Sequence, residues 1–151
     1  MLIRRADPGE GEALRTIAIA AKAHWGYELE CVRAWAEQGD FSPAGLTAKE
    51  VFVADLDGRL VGWASLIDQG DVCWLDDLWV EPEAMRQGVG TQLFHRALER
   101  ARQLGAMRVE WEAEPNATGF YEKMGAYDLR ASRLSEWGRI LRVMGVDLTP
   151  R

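Results

Sequence analysis

Residues 81–92 read EPEAMRQGVGTQ, and they follow directly on the apolar run LWV at 78–80. A β-rich run, then a proline, two glycines two apart and an amphipathic stretch spell strand, loop and helix. The glycines remove side chains where the first amides of a helix lack partners within it and where the helix dipole is positive. A bare backbone there admits an anion such as a phosphate. The same glycines also serve a tight strand-to-helix turn with no ligand, and a Gly-x-Gly taken alone favours that simpler use. Two phosphate motifs are excluded. A Walker loop needs Lys and then Ser or Thr after its last glycine, whereas Gly90 precedes Thr91-Gln92. A dinucleotide fingerprint needs a small residue where Leu93 stands, and a place early in a βαβ unit.

Upstream, LIRR (2–5) reads as a short strand and Asp7-Pro8 as a helix start, with proline at the first helical position. Apolar residues at 14, 17, 18 and 21 carry that helix through Ala23, and Gly26 breaks it before a second helix from about Glu28 to Glu37. GDFSPAGLTAKE (39–50), rich in turn formers, reads as a loop. VFVADLDGRLVGWASLI (51–67) is a hairpin around Asp57-Gly58, the pair suited to a type I′ turn. A turn at DQGD (68–71) leads to the strand VCWLDDLWV (72–80). Downstream, Leu93, Ala97, Leu98, Ala101 and Leu104 line one face of a helix from Gly90 to Gly105. MRVEWEA (107–113) alternates as a strand, with Met107, Val109, Trp111 and Ala113 on one side. Pro115 to Met124 is a short helix closed by Gly125, and 126–148 holds two more strands around a turn near Trp137-Gly138. The order predicts an α/β fold on a mixed sheet with one strand–helix–strand crossover.

The 151 residues favour one domain, 1–151, and an apolar content of 48% excludes disorder. No apolar stretch approaches the roughly 20 residues that span a bilayer, and the start MLIRRADPGEGEAL has no secretory pattern. A cytoplasmic protein without a membrane partner is the expectation. A net charge of −6 and a pI near 5.0 disfavour a nucleic-acid surface and suit a cationic substrate such as an amine. Cys31 and Cys73 lack metal or redox spacing and are expected in or near the core as reduced thiols. With only His24 and His95 besides, no transition-metal site is expected.

Met85-Arg86-Gln87-Gly88-Val89-Gly90 resembles the central signature of the GCN5-related N-acetyltransferase (GNAT) family, a strand, then Arg/Gln-x-x-Gly-x-Gly/Ala, then a helix. LWVEPEAMRQGVGTQLFHRALERA (78–101) and EPNATGFYEKMGA (114–126) resemble family segments in the right order and spacing. The resemblance implies a mixed, mostly antiparallel sheet of about seven strands flanked by about four helices and splayed at its two central strands. It also implies acetyl-CoA as cofactor. Met85 departs from the signature, at a position usually Arg or Gln; either Arg86 supplies the missing charge or the cofactor is bound less tightly.

On this resemblance pantetheine lies in the splay and pairs with the strand edge at Leu78, Trp79 and Val80. A backbone amide there, placed at Leu78, polarises the thioester carbonyl. The diphosphate falls to the backbone of Met85, Arg86, Gln87, Gly88, Val89, Gly90 and Thr91. Asn116 matches the asparagine that reaches the pantetheine arm, and is equally well placed to cap a helix after Pro115. Tyr121 matches the tyrosine that protonates the departing thiolate, against a simpler role in the core, where Phe120 is expected. The base stays open among Asp76, Asp77, Glu114 and a water chain. His24, Trp25 and Tyr27, around Gly26, suit the lining of an acceptor pocket, or the packing of a helix end on the sheet. Lys123 is read as a surface lysine with a cofactor phosphate as its other option, and Trp35, Trp63, Trp74, Trp111 and Trp137 as core or interface aromatics. The implied activity is direct acetyl transfer, in a ternary complex, to a primary amine of a small molecule or peptide. The alternative is a non-catalytic acyl-CoA-binding or sensing domain of the same fold. The acceptor's identity stays open, and the resemblance admits a homodimer.

Overall fold

Asp57 and Gly58 both take positive φ, 54° and 90°, and close a hairpin of β2 (Glu50–Leu56) and β3 (Arg59–Asp68). These are the dihedral signs a type I′ turn demands, and they match the twist of the flanking strands. In the computed structural model, which describes residues 1–133 and 139–148, the hairpin belongs to a longer series. That series runs β1 (Leu2–Arg5), α1 (Gly11–His24), α2 (Leu29–Glu37), α3 (Pro43–Ala48), β2, β3, β4 (Val72–Val80) and α4 (Val89–Gln103). It continues with β5 (Arg108–Ala113), α5 (Thr118–Lys123), β6 (Tyr127–Ala131) and β7 (Arg142–Asp147).

The seven strands form one mixed sheet in the order β1-β2-β3-β4-β5-β7-β6. The β1–β2, β2–β3, β5–β7 and β6–β7 pairs are antiparallel, whereas β4 and β5 run parallel with α4 as their crossover. The parallel register joins Val72–Trp74 to Arg108–Glu110, and both strands run on past it, β4 to Val80 and β5 to Ala113. The mixed, mostly antiparallel α/β architecture is thus as expected, with five α-helices among the described residues rather than about four.

The extra helix is α3, inside the segment expected to be a loop. Ser42 caps it by accepting from the Gly45 amide at 3.1 Å, Pro43 occupies the first turn, and Leu46 is buried. A single six-residue helix gives no apolar period to detect, so the turn formers around it dominate the sequence signal. Two further expectations are corrected. Met107 precedes β5 instead of extending its buried face and is 68% exposed. Cys31 lies exposed on α2, while Cys73 is buried. The expected turn near Trp137-Gly138 falls outside the described residues.

The chain divides into two compact units. The first comprises Met1–Leu66 and Asp77–Ala97. Its core packs Leu14, Ile17 and Ala18 of α1 and Leu46 of α3 on Val51 and Val53 of β2 and Trp63 of β3. Burying each such aliphatic side chain contributes about 1.5–3 kcal/mol. The Trp63 indole N–H donates to the Leu14 carbonyl at 2.9 Å, so its one polar atom enters the core satisfied. Val51 to Ala54 are buried without a break because both faces of β2 are covered. Gly62 lets the layers meet closely: a Cβ there would lie 3.0 Å from the Trp79 carbonyl oxygen and 3.0 Å from Val89 Cγ1 of α4.

At the start of this unit Arg4 holds Glu10 at 2.8 and 2.9 Å and Asp55 at 3.2 Å, and Glu10 also accepts from the Asp7 amide. The Arg4 hydrogen bond holds the Glu10 carboxyl below its ordinary pKa, and the Gly58 amide and then Arg4 do the same for Asp55. Carboxyls more acidic in the folded chain stabilise it above their unfolded pKa values of about 4.3 and 3.9, and lose that contribution as pH falls through the folded values. Glu10→Gln is therefore expected to cost roughly 1–2 kcal/mol at pH 7. It should also narrow the stability difference from wild type as pH drops below about 4. Urea titrations at pH 7 and pH 3 check both.

The second unit comprises Ile67–Asp76 and the chain from Leu98 onward. Val109, Trp111 and Ala113 form the buried face of β5, but Glu110 on the other face is buried too. Its carboxylate accepts from Arg108 and Arg130, each at 2.9 Å. Burial pushes the Glu110 pKa up, and the two guanidinium groups more than offset this, so it stays below the ordinary value. In β7, Gly145 leaves room for Leu129, whose Cδ1 would lie 2.7 Å from an added Cβ.

Candidate active site

In the first unit the site builds from the end of β4. Leu78, Trp79 and Val80 are all half-buried, an unusual state for three successive apolar residues of an interior strand. The strand ends where the Glu81 amide donates to the Val61 carbonyl at 2.9 Å. Pro82–Ala84 make a 3-10 turn that fixes the descent into the loop. Two acids at this point, Glu81 and Glu83, would repel an anion, but Arg59 pairs with Glu81. Burial, and then the neighbouring Glu83 carboxyl, raise the Glu81 pKa, while the Glu81 hydrogen bond lowers that of Glu83.

Met85 is extended and half-buried; Arg86 and Gly88 then take positive φ, 64° and 83°. For arginine this left-handed conformation costs roughly 1 kcal/mol. The Gln87 side chain donates back to the Glu83 carbonyl at 3.1 Å and so supports the loop from within. The Gln92 amide donates to the Gly88 carbonyl, the first bond of α4, whose start leaves the amides of Val89, Gly90 and Thr91 as helix-end donors. Nothing lies within 4 Å of a Cβ placed on Gly88. Helix-start amides beside an uncrowded glycine are donors suited to a diphosphate.

Asp77 is fully engaged. Its Oδ2 accepts from the buried Ser65 hydroxyl at 2.5 Å and lies 3.7 Å from Lys49 Nζ, and its Oδ1 accepts from the Trp79 indole at 3.2 Å. Asp76 is exposed and Asp77 half-buried, in keeping with the alternation of successive strand residues between opposite faces. At the end of α1, His24 and Trp25 are exposed and meet edge to face at 4.9 Å. Tyr27 turns inward, where the Lys22 ammonium lies over the rings of Tyr27, Trp35 and Trp79 at 5.4, 4.5 and 5.6 Å. Sequence reasoning gave Lys22 no role. The signal was present: Lys22 continues the buried stripe of Leu14, Ala18 and Ala21, where a lysine needs a partner.

In the second unit the candidates sit after β5. Asn116 is exposed inside a 3-10 turn, Pro115–Ala117, and donates to the Glu114 carboxylate at 2.8 Å; it caps no helix through its side chain. Tyr121 is buried, with its ring 4.8 Å from Trp111 and 5.3 Å from Phe120. Phe120, expected in the core, is half-buried. Burial, and then the Glu114 charge, push the Tyr121 phenol pKa well above its ordinary value of about 10. Lys123 is exposed on α5. Among the described residues no group of three or more His, Cys, Asp or Glu side chains is arranged to hold a metal ion.

Comparison with known proteins places this geometry. The chain is 27% identical over 138 residues to the uncharacterized N-acetyltransferase YafP of Escherichia coli, covering 87% of this chain and 85% of that protein. It is 32% identical over 84 residues to an uncharacterized N-acetyltransferase of Methanocaldococcus jannaschii; that match covers 49% of this chain and 37% of the relative's length. A GCN5-related N-acetyltransferase from Rhodopseudomonas palustris superposes with a TM-score of 0.81 at 26% identity, covering 97% of this chain and 95% of that one. The PaiA N-acetyltransferase of Thermoplasma acidophilum, solved with coenzyme A, also shares the fold, with a TM-score of 0.81 at 18% identity over 97% of this chain and 98% of its own. The Acetyltransferase (GNAT) family profile matches residues 14–126, which include most of α1, the glycine loop and α5, and the chain belongs to that family.

Proposed function

We propose that this chain is an acetyl-CoA-dependent N-acetyltransferase that acetylates a primary amine of a small molecule or peptide by direct transfer. Family membership supports acetyl transfer as the reaction class. The observation that carries the reading is the run from Leu78 to Thr91, a half-buried strand end followed by a left-handed loop at the start of α4. Acetyl-CoA, when bound, supplies the activated thioester. The amides of Arg86 to Thr91 would hold its diphosphate, and the backbone of Leu78, Trp79 and Val80 its pantetheine arm. An amide at Leu78 would polarise the acetyl carbonyl.

The amine attacks the carbonyl carbon as the free base. A C–N bond forms, the C–S bond breaks, and one proton leaves the nitrogen while one reaches the sulfur. Tyr121 would supply the second proton. Its raised pKa keeps the phenol protonated throughout the neutral range, so a donor is always present, and the pull of the developing thiolate must draw the proton off. Asp77 is a poor base, because both its oxygens already accept hydrogen bonds. Exposed Asp76, Glu114 and water remain as routes for the amine proton, and Asn116 would steady Glu114 as well as reach the pantetheine arm.

The test is thiol release from acetyl-CoA across a panel of amino acids, polyamines, aminoglycosides and short peptides. At least one acceptor is expected to give turnover above hydrolysis. Tight coenzyme A binding with no turnover on any amine would instead establish an acyl-CoA-binding or sensing domain.

A further inference from the structure

Lys22 is the one lysine among the buried polar and charged residues described, at 9% exposure, and its ammonium faces three aromatic rings from three different elements. Tyr27 belongs to the α1–α2 connection, Trp35 to α2 and Trp79 to β4. Trp35 and Trp79 also meet each other edge to face at 5.3 Å. Aromatic faces attract a cation most strongly when water is excluded. The last turn of α1, where Lys22 stands, favours a cation as well. Even so, methionine or leucine would fill this space without the desolvation cost that a charge brings. A charge retained at such a position fixes ring orientations in a way that an apolar contact does not.

The ring most constrained is Trp79. Its face is turned to the Lys22 ammonium, it meets Trp35 in a T-shaped contact, and its indole N–H is held by Asp77, which is itself anchored by Ser65. Trp79 is the middle residue of Leu78–Val80. We propose that Lys22 is a positioning residue for acetyl transfer: gripped by Tyr27, Trp35 and Trp79, it fixes the Trp79 side chain and through it the strand backbone against which the acetyl donor lies. This rests on the function proposed above. In this role Lys22 acts through Trp79 rather than on the reacting groups.

The experiment compares wild type with Lys22→Met, which keeps the unbranched stem and removes the charge, and Lys22→Arg, which keeps the charge. Lys22→Met is expected to retain a wild-type thermal midpoint, to move the Trp79 indole N–H resonance, and to raise KM for acetyl-CoA five- to tenfold, or by about 1–1.4 kcal/mol. Lys22→Arg should restore most of the KM. Trp35→Leu removes one wall of the cage and should move KM in the same direction, which keeps the test intact if Lys22→Met fails to fold. An unmoved indole resonance and a wild-type KM in folded Lys22→Met, with active wild type, would overturn the positioning role alone. Wild type that neither binds coenzyme A nor turns over would overturn the functional reading, and the positioning role with it.

Discussion

Tyr121→Phe is expected to lower kcat by about a hundredfold, the usual worth of a positioned general acid, while coenzyme A affinity stays within about twofold. The substitution removes one oxygen from a buried ring that packs on Trp111 and Phe120, so the aromatic contacts survive. A purely structural tyrosine would show the opposite split, with stability altered and turnover preserved. Steady-state kinetics with a calorimetric coenzyme A titration separate the two, and wild-type kcat in the variant would remove Tyr121 from the chemistry. The pH profile adds a second constraint. Because the phenol pKa is raised, loss of rate through Tyr121 ionisation belongs above pH 10, and an alkaline limb nearer neutrality must come from another group. The same shift bears on stability with a definite sign. The contribution is present below the unfolded pKa of about 10 and is lost as pH rises above it, when the unfolded chain ionises first.

Gly88→Val should weaken coenzyme A binding about a hundredfold, equivalent to roughly 3 kcal/mol. Two effects add. Valine at φ 83° is strained in a conformation that β-branched residues avoid, so the loop is expected to shift. A side chain added at Gly88, next to the first amides of α4, would also crowd a diphosphate that approached them. Losing two charge-assisted hydrogen bonds at about 1.5–3 kcal/mol each is enough for the effect. Gly88→Ala, with less bulk in the same backbone conformation, should fall between. A calorimetric titration of both variants checks the order, and wild-type affinity in Gly88→Val would show that the glycine serves the turn alone.

The elements legible in the sequence were those that local chemistry determines. The Asp57-Gly58 turn, the proline ahead of α1, the glycine after α5 and the long apolar stripe of α4 each specify their structure within a few residues. The glycine loop was legible for the same reason, since its conformation is set by local backbone rather than by distant partners. What stayed hidden depends on contacts between elements far apart in the chain. Adjacent residues on a helix give no rule for choosing which faces inward, so Tyr121 lies deeper than Phe120 against expectation. Lys22 gains its meaning from Trp79, which is distant in sequence, and Asp77 from Ser65 of the neighbouring strand. Glu110 looked like a solvent-facing residue of an alternating strand until Arg108 and Arg130 closed over it.

The central claim is that peptide amides at the start of α4 bind the diphosphate of coenzyme A. It is tested most directly by following backbone amide resonances of ¹⁵N-labelled protein as coenzyme A is added to saturation, with saturation fixed by calorimetry. Large, saturable shifts are expected at Arg86 through Thr91 and at Leu78 to Val80, with Leu2 to Arg5 of β1 unmoved. Saturation reached with the loop amides unmoved would contradict it.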